Sequence, residues 1–197
     1  MKVKHIITGS IVALVSIFVL RTSSLYLKKT SKAVEQEVKL DPYDINFVPE
    51  SEYVQAPSAQ LVLHEKDSQK KFSLRDFKGK ALIVHFWGTD CMPCAKELPS
   101  YQRFTKRFVE IEHIALTIVP TDAESKDNIQ KSLNRFGAGD IPLVTDTKAN
   151  VASYFQIKAI PSTVFISKKG HVLGTVMGPI NWDDVQVQEL VLKILAD

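Results

Sequence analysis

Cys91 and Cys94 are the only cysteines in the 197-residue chain, and Met92 and Pro93 separate them. They follow residues 81–87, an apolar run that is typical of a strand buried on both faces, and they precede a helical pattern. A C-x-x-C pair on a strand-to-helix turn has its first sulfur at a helix N-terminus, where unpaired N–H groups and the helix dipole stabilise a thiolate. The spacing therefore predicts a redox-active pair in which Cys91 attacks and Cys94 resolves.

A structural zinc site and a purely structural disulfide are the alternative interpretations of this pair. Zinc usually takes four ligands, often from a second Cys or His pair at matching spacing. The five histidines of this chain are scattered and supply no such pair. We therefore predict no metal, and no cofactor other than the redox-active disulfide Cys91–Cys94.

The charge balance argues against a nucleic-acid partner. The formal net charge is only +3, and no basic stripe with interleaved aromatic residues is present. With 45% hydrophobic and 24% charged residues, most of the chain is expected to form a packed globular domain.

The N-terminal segment, residues 1–27, reads as a signal or membrane anchor. Lys2 and Lys4 precede an uncharged apolar stretch, residues 6–20, and Arg21 follows it. No small-x-small cleavage site comes directly after the stretch, and it holds no cysteine for lipidation. We therefore favour an uncleaved anchor over a cleaved signal.

The orientation of this anchor rests on two opposed signals. Four positive charges follow the stretch, at Arg21, Lys28, Lys29 and Lys32, and they favour a cytoplasmic C-terminus. A redox domain favours the opposite orientation, which we adopt. Residues 28–55 are polar and contain Pro42 and Pro49, so we expect a linker there and a globular domain over residues 56–197.

Within the domain, hydrophobic periodicity predicts the order β-α-β-α-β-α-β-β-α after two short strands. Such an order is typical of a three-layer α/β fold with right-handed crossovers. We expect strands near residues 61–63, 72–74, 81–87, 114–119, 142–144, 162–166 and 171–176, with helices starting near residue 94 and around residues 129–136, 151–155 and 187–194.

Four segments together resemble one family. Residues 86–99 read F-W-G-T-D-C-M-P-C-A-K-E-L-P, which closely resembles the active-site segment of TlpA/ResA-like thiol–disulfide oxidoreductases. Residues 56–80, 160–163 and 178–182 agree with the same family, so the resemblance covers about residues 56–195. The resemblance implies a thioredoxin-like fold with N-terminal strands and an extra β-α insertion.

The resemblance also implies an activity and a location. It predicts an extracytoplasmic thiol–disulfide oxidoreductase that reduces client disulfides, as in cytochrome c maturation or oxidase copper-site assembly. Electrons would come from a membrane thiol donor. We expect a monomer with a single anchor in the inner (cytoplasmic) membrane and a domain that faces the periplasm.

Pro161 resembles the cis-proline that faces the disulfide in this family, with an ordinary trans proline as the alternative. A cis bond would let the backbone of Ile160 pair with an extended client segment. Glu97 lies one helical turn beyond Cys94, where the family has a glutamate that affects the ionisation of the cysteines. The alternative is a surface glutamate that the helix dipole favours.

Four other residues near the cysteines carry more open predictions. We expect Met92 and Pro93 to tune the geometry of the active-site helix and to contribute to the client-binding surface. Trp87 is expected either to contribute to that surface or to form the wall or core near the disulfide. His85 could relay a proton from Cys94 or could simply be a hydrogen-bonded strand residue.

Asp90 stands where the family usually has tryptophan. As a helix N-cap it would stabilise the active-site helix, and as a neighbouring charge it would raise the thiol pKa of Cys91. The two roles are compatible with each other.

Two other functions compete with the oxidoreductase. A copper chaperone would use both cysteines with His171 as the third ligand. A peroxiredoxin-like peroxidase would need a threonine three residues before the attacking cysteine, whereas Thr89 lies two residues before Cys91. We favour the oxidoreductase over both.

Overall fold

The structure is a computed structural model that describes residues 45–47, 54–65, 67–108, 113–119 and 125–196. These residues fall within one compact unit of the chain. The predicted anchor, residues 1–27, and most of the predicted linker lie outside them. None of the helices in the described ranges combines the length and the apolar character that a bilayer crossing requires.

The described strands form one eight-stranded sheet with the order β1-β8-β7-β4-β5-β6-β2-β3. Strand β4 pairs in parallel with β5, and β5 with β6, whereas all other neighbours are antiparallel. The strands are β1 (Ile45–Phe47), β2 (Leu61–His64), β3 (Gln69–Phe72), β4 (Ala81–Phe86), β5 (His113–Val119), β6 (Leu143–Thr145), β7 (Ser162–Ile166) and β8 (Val172–Met177).

The helices of the described ranges are α1 (Met92–Phe108), α2 (Lys126–Arg135), α3 (Asn150–Tyr154) and α4 (Val185–Ala196). Helix α2 begins after Ser125, whose hydroxyl group accepts a hydrogen bond from the backbone N–H of Asn128. It ends before Gly137, whose φ of 70° lies in the left-handed region that favours glycine. The chain thus leaves α2 where the sequence predicts.

Strand β4 is buried along its whole length, and its side chains alternate between two apolar clusters. Ala81, Ile83 and Trp87 face the cluster that contains residues of α1, α2 and α4. Leu82 and Val84 face the second cluster, which contains residues of α3 and β2. His85 lies on the same face of the strand as the first group, and its ring stacks on Tyr101 of α1.

The predicted order of elements is confirmed, including the inserted strand β6 and helix α3, with two corrections. The strand expected at residues 72–74 ends at Phe72, and Leu74–Phe77 forms a 3₁₀ turn that Asp76 caps through its bond from the Ser73 N–H. Strand β1 lies inside the segment predicted as linker and pairs with β8 at the sheet edge. Its three residues are too short a run for hydrophobic periodicity to reveal.

Candidate active site

The two cysteines lie at the start of helix α1 and form a disulfide in the structure. Cys91 directly precedes the helix; its carbonyl oxygen accepts the N–H of Ala95, and its sulfur accepts the N–H of Cys94 at 3.2 Å. The sulfur of Cys91 thereby takes the position of an N-cap oxygen. Cys91 is 7% exposed and Cys94 is fully buried, so Cys91 is the sulfur that a client can reach.

The predicted N-cap role of Asp90 is wrong. Helix α1 begins at Met92, which leaves Asp90 one residue too early to cap it. Asp90 is exposed instead, beside Cys91. Its effect as a neighbouring charge stays a prediction.

Met92 and Pro93 are exposed next to the disulfide, with Met92 67% accessible. Trp87 is placed differently, because only 1% of its surface is accessible. Its ring packs edge-on against Phe136, with 6.2 Å between ring centroids. The prediction that Trp87 contacts a client is therefore corrected: it supports the active-site loop from inside the core.

Ile160 and Pro161 lie on the other side of Cys91. Their peptide bond is cis, and the Ile160 carbonyl oxygen is 3.7 Å from the Cys91 sulfur. Ile160 is 38% exposed, and its side chain rests against Gly88, where an added Cβ would come within 2.7 Å of the Ile160 Cδ1 atom. The structure thus brings Ile160 and its backbone to the accessible sulfur.

Glu97 is buried inside the core with 3% exposure, which excludes a surface glutamate. Its Oε1 accepts hydrogen bonds from Trp182 Nε1 at 2.7 Å and from the Ile180 N–H at 3.1 Å. Burial raises the pKa of Glu97 to about 7, although these two bonds act in the opposite direction. Its Oε2 has no hydrogen-bond partner within the described part of the chain, so Oε2 is the oxygen available to carry a proton.

His85 lies beside this carboxyl group, with 4.0 Å between its Nδ1 and Glu97 Oε1. The same Nδ1 is 3.0 Å from Thr163 Oγ1, and the ring stacks on Tyr101 at 4.6 Å. Complete burial lowers the pKa of His85 to about 3, so the imidazole is neutral near pH 7. The contact with Glu97 is therefore not an ion pair at neutral pH.

Trp182, Thr163 and Arg135 contribute to this site although the sequence did not single them out for it. The indole N–H of Trp182 fixes Glu97 in place. The Arg135 guanidinium donates to the Thr89 carbonyl oxygen at 3.0 Å and so braces the loop before Cys91. Trp182 and Thr163 lie in the family-like segments at residues 178–182 and 160–163, which were the available signals for them, whereas no local pattern marks Arg135.

His171 lies too far from the cysteines to serve as the third ligand of a copper site. Strand β7 begins beside the site, where Ser162 pairs with Phe86, and ends where Ile166 pairs with Leu82. His171 comes after that far end, so at about 3.3 Å per residue it is roughly 15 Å or more from the cysteines. Across the described ranges, no three His, Cys, Asp or Glu side chains cluster closely enough to hold a metal.

Comparisons with known proteins agree with this geometry. Residues 54–174 match the AhpC/TSA family. The thiol–disulfide oxidoreductase ResA of Bacillus subtilis (strain 168) is 30% identical over 140 residues, which are 69% of this chain and 74% of that protein.

Two solved structures are similar as well. StoA from Bacillus subtilis is 25% identical with a TM-score of 0.53, over 68% of this chain and 98% of StoA. The thioredoxin domain of a thiol–disulfide oxidoreductase from Bacteroides vulgatus is 20% identical with a TM-score of 0.53, over 70% and 98% of the two chains. The predicted thioredoxin-like fold is confirmed.

We predict that the stability of the oxidised protein depends on pH through Glu97. Its folded-state pKa of about 7 lies above the ordinary value of 4.5, so the protonated group favours folding. This contribution is fully present below pH 4.5 and is lost as the pH rises through about 7, a loss on the order of 3 kcal/mol. Denaturant unfolding curves recorded at about pH 5 and about pH 8 should show a decline in the free energy of unfolding, and Glu97→Gln should remove this decline.

Glu189→Gln is the matched control, because Glu189 is exposed and should leave the decline intact. His85 acts with the opposite sign: its lowered pKa means that stability is lost as the pH falls from 6.5 toward about 3. Both variants retain His85, so its effect cancels in the comparison. A decline in Glu97→Gln as large as in the unmodified protein would contradict the prediction.

Proposed function

Since the chain belongs to the AhpC/TSA family and is a ResA-like thiol–disulfide oxidoreductase, we propose that it reduces client-protein disulfides through Cys91 and Cys94. The observation that carries this direction is the buried carboxyl group of Glu97, one helical turn beyond Cys94. Residues three apart on a helix are neighbours, with about 5–6 Å between their Cβ atoms.

The first half of the cycle uses the accessible cysteine. The thiolate of Cys91 attacks one sulfur of the client disulfide, and a bond forms between these two sulfurs. The second client sulfur leaves as a thiolate and takes up a proton. The chain and its client are then joined by a mixed disulfide.

The second half uses the buried cysteine and Glu97. Cys94 gives its thiol proton to the Glu97 carboxylate at Oε2, and the resulting thiolate attacks the Cys91 sulfur. The client sulfur leaves and is protonated, so the client gains two electrons and two protons in total. The chain ends with the Cys91–Cys94 disulfide. A pKa of about 7 suits Glu97 to this transfer, because both of its protonation states are accessible near neutral pH.

The direction of electron flow follows from what the site does to a thiolate. Strongly oxidising pairs have a much lowered thiol pKa, which stabilises the reduced form. A partly desolvated carboxyl group next to Cys94 acts the other way, because its negative form repels a thiolate. The reduced pair is therefore a good electron donor.

The client docks as an extended segment beside the disulfide. Ile160, which is exposed and whose carbonyl oxygen lies 3.7 Å from the Cys91 sulfur, offers strand-like pairing next to Cys91. Met92 and Pro93 add accessible apolar surface. On the family resemblance, the clients are apocytochrome c or copper-site proteins of respiratory oxidases. A membrane thiol donor then reduces the Cys91–Cys94 disulfide again, and the protein works as a monomer.

The first test is insulin reduction by residues 41–197, a fragment that retains strand β1, with dithiothreitol as donor. Cys91→Ser should abolish turnover, because no attacking sulfur remains. Cys94→Ser should trap mixed disulfides, since nothing can resolve them. Lys131→Gln, an exposed change on helix α2, serves as the control and should retain full activity.

Unchanged turnover in Cys91→Ser would rule out the proposed chemistry. Two further readouts address the alternatives with the same proteins. Peroxide consumption without insulin reduction would favour a peroxidase, and stoichiometric Cu(I) binding that depends on His171 would favour a copper chaperone.

We also propose that residues 1–27 anchor the chain in the cytoplasmic membrane with the domain outside the cytoplasm. The uncharged stretch at residues 6–20 and the resemblance to membrane-tethered oxidoreductases support this topology. The charges that follow the stretch oppose it.

Alkaline phosphatase fused to the C-terminus separates the two topologies, because this reporter is active only outside the cytoplasm. We expect an active fusion that sediments with membranes. A fusion with the apolar stretch deleted, which should be inactive, is the control. Full-length fusions that are inactive despite normal expression would place the domain in the cytoplasm and remove the assigned clients.

A further inference from the structure

A cavity of about 280 Å³ lies at the end of the sheet where strand β4 begins. Its walls come from three segments and from strand β4; the lining residues are Gln55, Ala56, Leu74, Arg75, Phe77, Lys78, Lys80, Leu82, Ile166, Ser167, Lys169 and Gly170. Leu82 and Ile166 are buried core residues that supply its apolar floor.

Backbone hydrogen bonds fix the walls of this cavity. The Gly79 N–H donates to the Lys168 carbonyl oxygen at 2.9 Å, which joins two of the three segments. The Ala56 N–H donates to the Gly170 carbonyl oxygen at 2.8 Å, which joins the third. Arg75 Nε also donates to the Ala56 carbonyl oxygen at 2.8 Å. A ligand would therefore meet a site whose shape is already set.

The charge of the rim is one-sided. Four cationic side chains line the cavity, and they belong to Arg75, Lys78, Lys80 and Lys169. None of its lining residues in the described ranges is acidic. Asp76, the acidic residue between two of them in sequence, has its carboxylate bound to the Ser73 N–H at 2.7 Å. Cations above an apolar floor match a ligand that has an acidic group and an apolar group.

The cavity is separate from the redox site. Strand β4 runs from the cavity end at Ala81 to Phe86 near the cysteines, and six strand residues span about 20 Å. Occupation of the cavity therefore uses none of the atoms that carry out disulfide exchange.

We propose that this cavity is a binding site for a small amphipathic anion, in which one phosphate or carboxylate group carries an apolar substituent. The cationic rim binds the acidic group, and the floor at Leu82 and Ile166 covers the apolar part. The volume is at the low end of ligand pockets, which suits a ligand on the order of ten to fifteen non-hydrogen atoms. A soluble metabolite or the headgroup region of an anionic lipid could supply this chemistry.

Phenyl phosphate is the probe, titrated by calorimetry into the full-length chain in phosphatidylcholine nanodiscs. We expect a dissociation constant on the order of 1 mM or tighter. Inorganic phosphate, which lacks the apolar group, and phenyl glucoside, which lacks the charge, should each bind at least about tenfold more weakly.

Lys78→Gln/Lys169→Gln should weaken phenyl phosphate binding about tenfold, because it removes two rim cations. Lys131→Gln/Lys193→Gln removes the same charge from exposed positions outside the cavity and should bind like the unmodified chain. Both double variants should retain insulin reduction, which also shows that they fold. Arg75→Gln is a second cavity variant and should weaken binding in the same direction.

Nanodiscs that contain phosphatidylglycerol identify the source of the anion. Weaker apparent phenyl phosphate binding in them means that a lipid headgroup occupies the site, and unchanged binding means a soluble ligand. Three results would overturn the proposal: no binding to the unmodified chain, equal loss in the control double variant, or inorganic phosphate binding as tightly as phenyl phosphate.

Discussion

The buried carboxyl group of Glu97 is the constraint on which the active site depends. Its Oε1 holds the Trp182 indole and the Ile180 N–H, and thus ties helix α1 to the segment that leads into helix α4. Trp182 in turn packs edge-on against the ring of Tyr101, which stacks on His85 of the central strand. One carboxyl group therefore joins the cysteine-bearing helix to the sheet and to the segment before the last helix, one helical turn beyond Cys94.

The competition between burial and hydrogen bonding decides the charge of this group. Each charge-assisted hydrogen bond stabilises the ionised form by about 1.5–3 kcal/mol, yet the pKa of Glu97 still rises to about 7, so desolvation exceeds both bonds together. The neighbouring imidazole does not compensate, because burial keeps His85 neutral as well. Glu97 is about half protonated near pH 7 and lies in an otherwise uncharged pocket. Its ionised form can take a proton from Cys94, and the same negative charge disfavours a lasting thiolate.

Much of this arrangement could be predicted from the sequence, because its signals are local. The apolar run of strand β4 and the C-x-x-C pair that follows it lie within fourteen residues, from Ala81 to Cys94. Glu97 could be placed on the cysteine side of α1 by helical spacing alone. Its hydrogen-bond partners could not, since Trp182 lies 85 residues away in the chain. Because the helix begins at Met92, one residue later than a cap at Asp90 requires, the capping position belongs to Cys91. The burial of Trp87 depends on Phe136, which follows helix α2 and is distant in the chain.

The rate of Cys91 alkylation against pH, in the reduced protein, tests the role of Glu97 most directly. Glu97→Gln retains the shape of the side chain and removes its charge, so the thiol pKa of Cys91 or of the coupled pair should fall by on the order of one unit. Because Glu97 is buried, the difference should persist at high ionic strength. A difference of only a few tenths that vanishes in high salt would contradict the account and remove Glu97 from the active site.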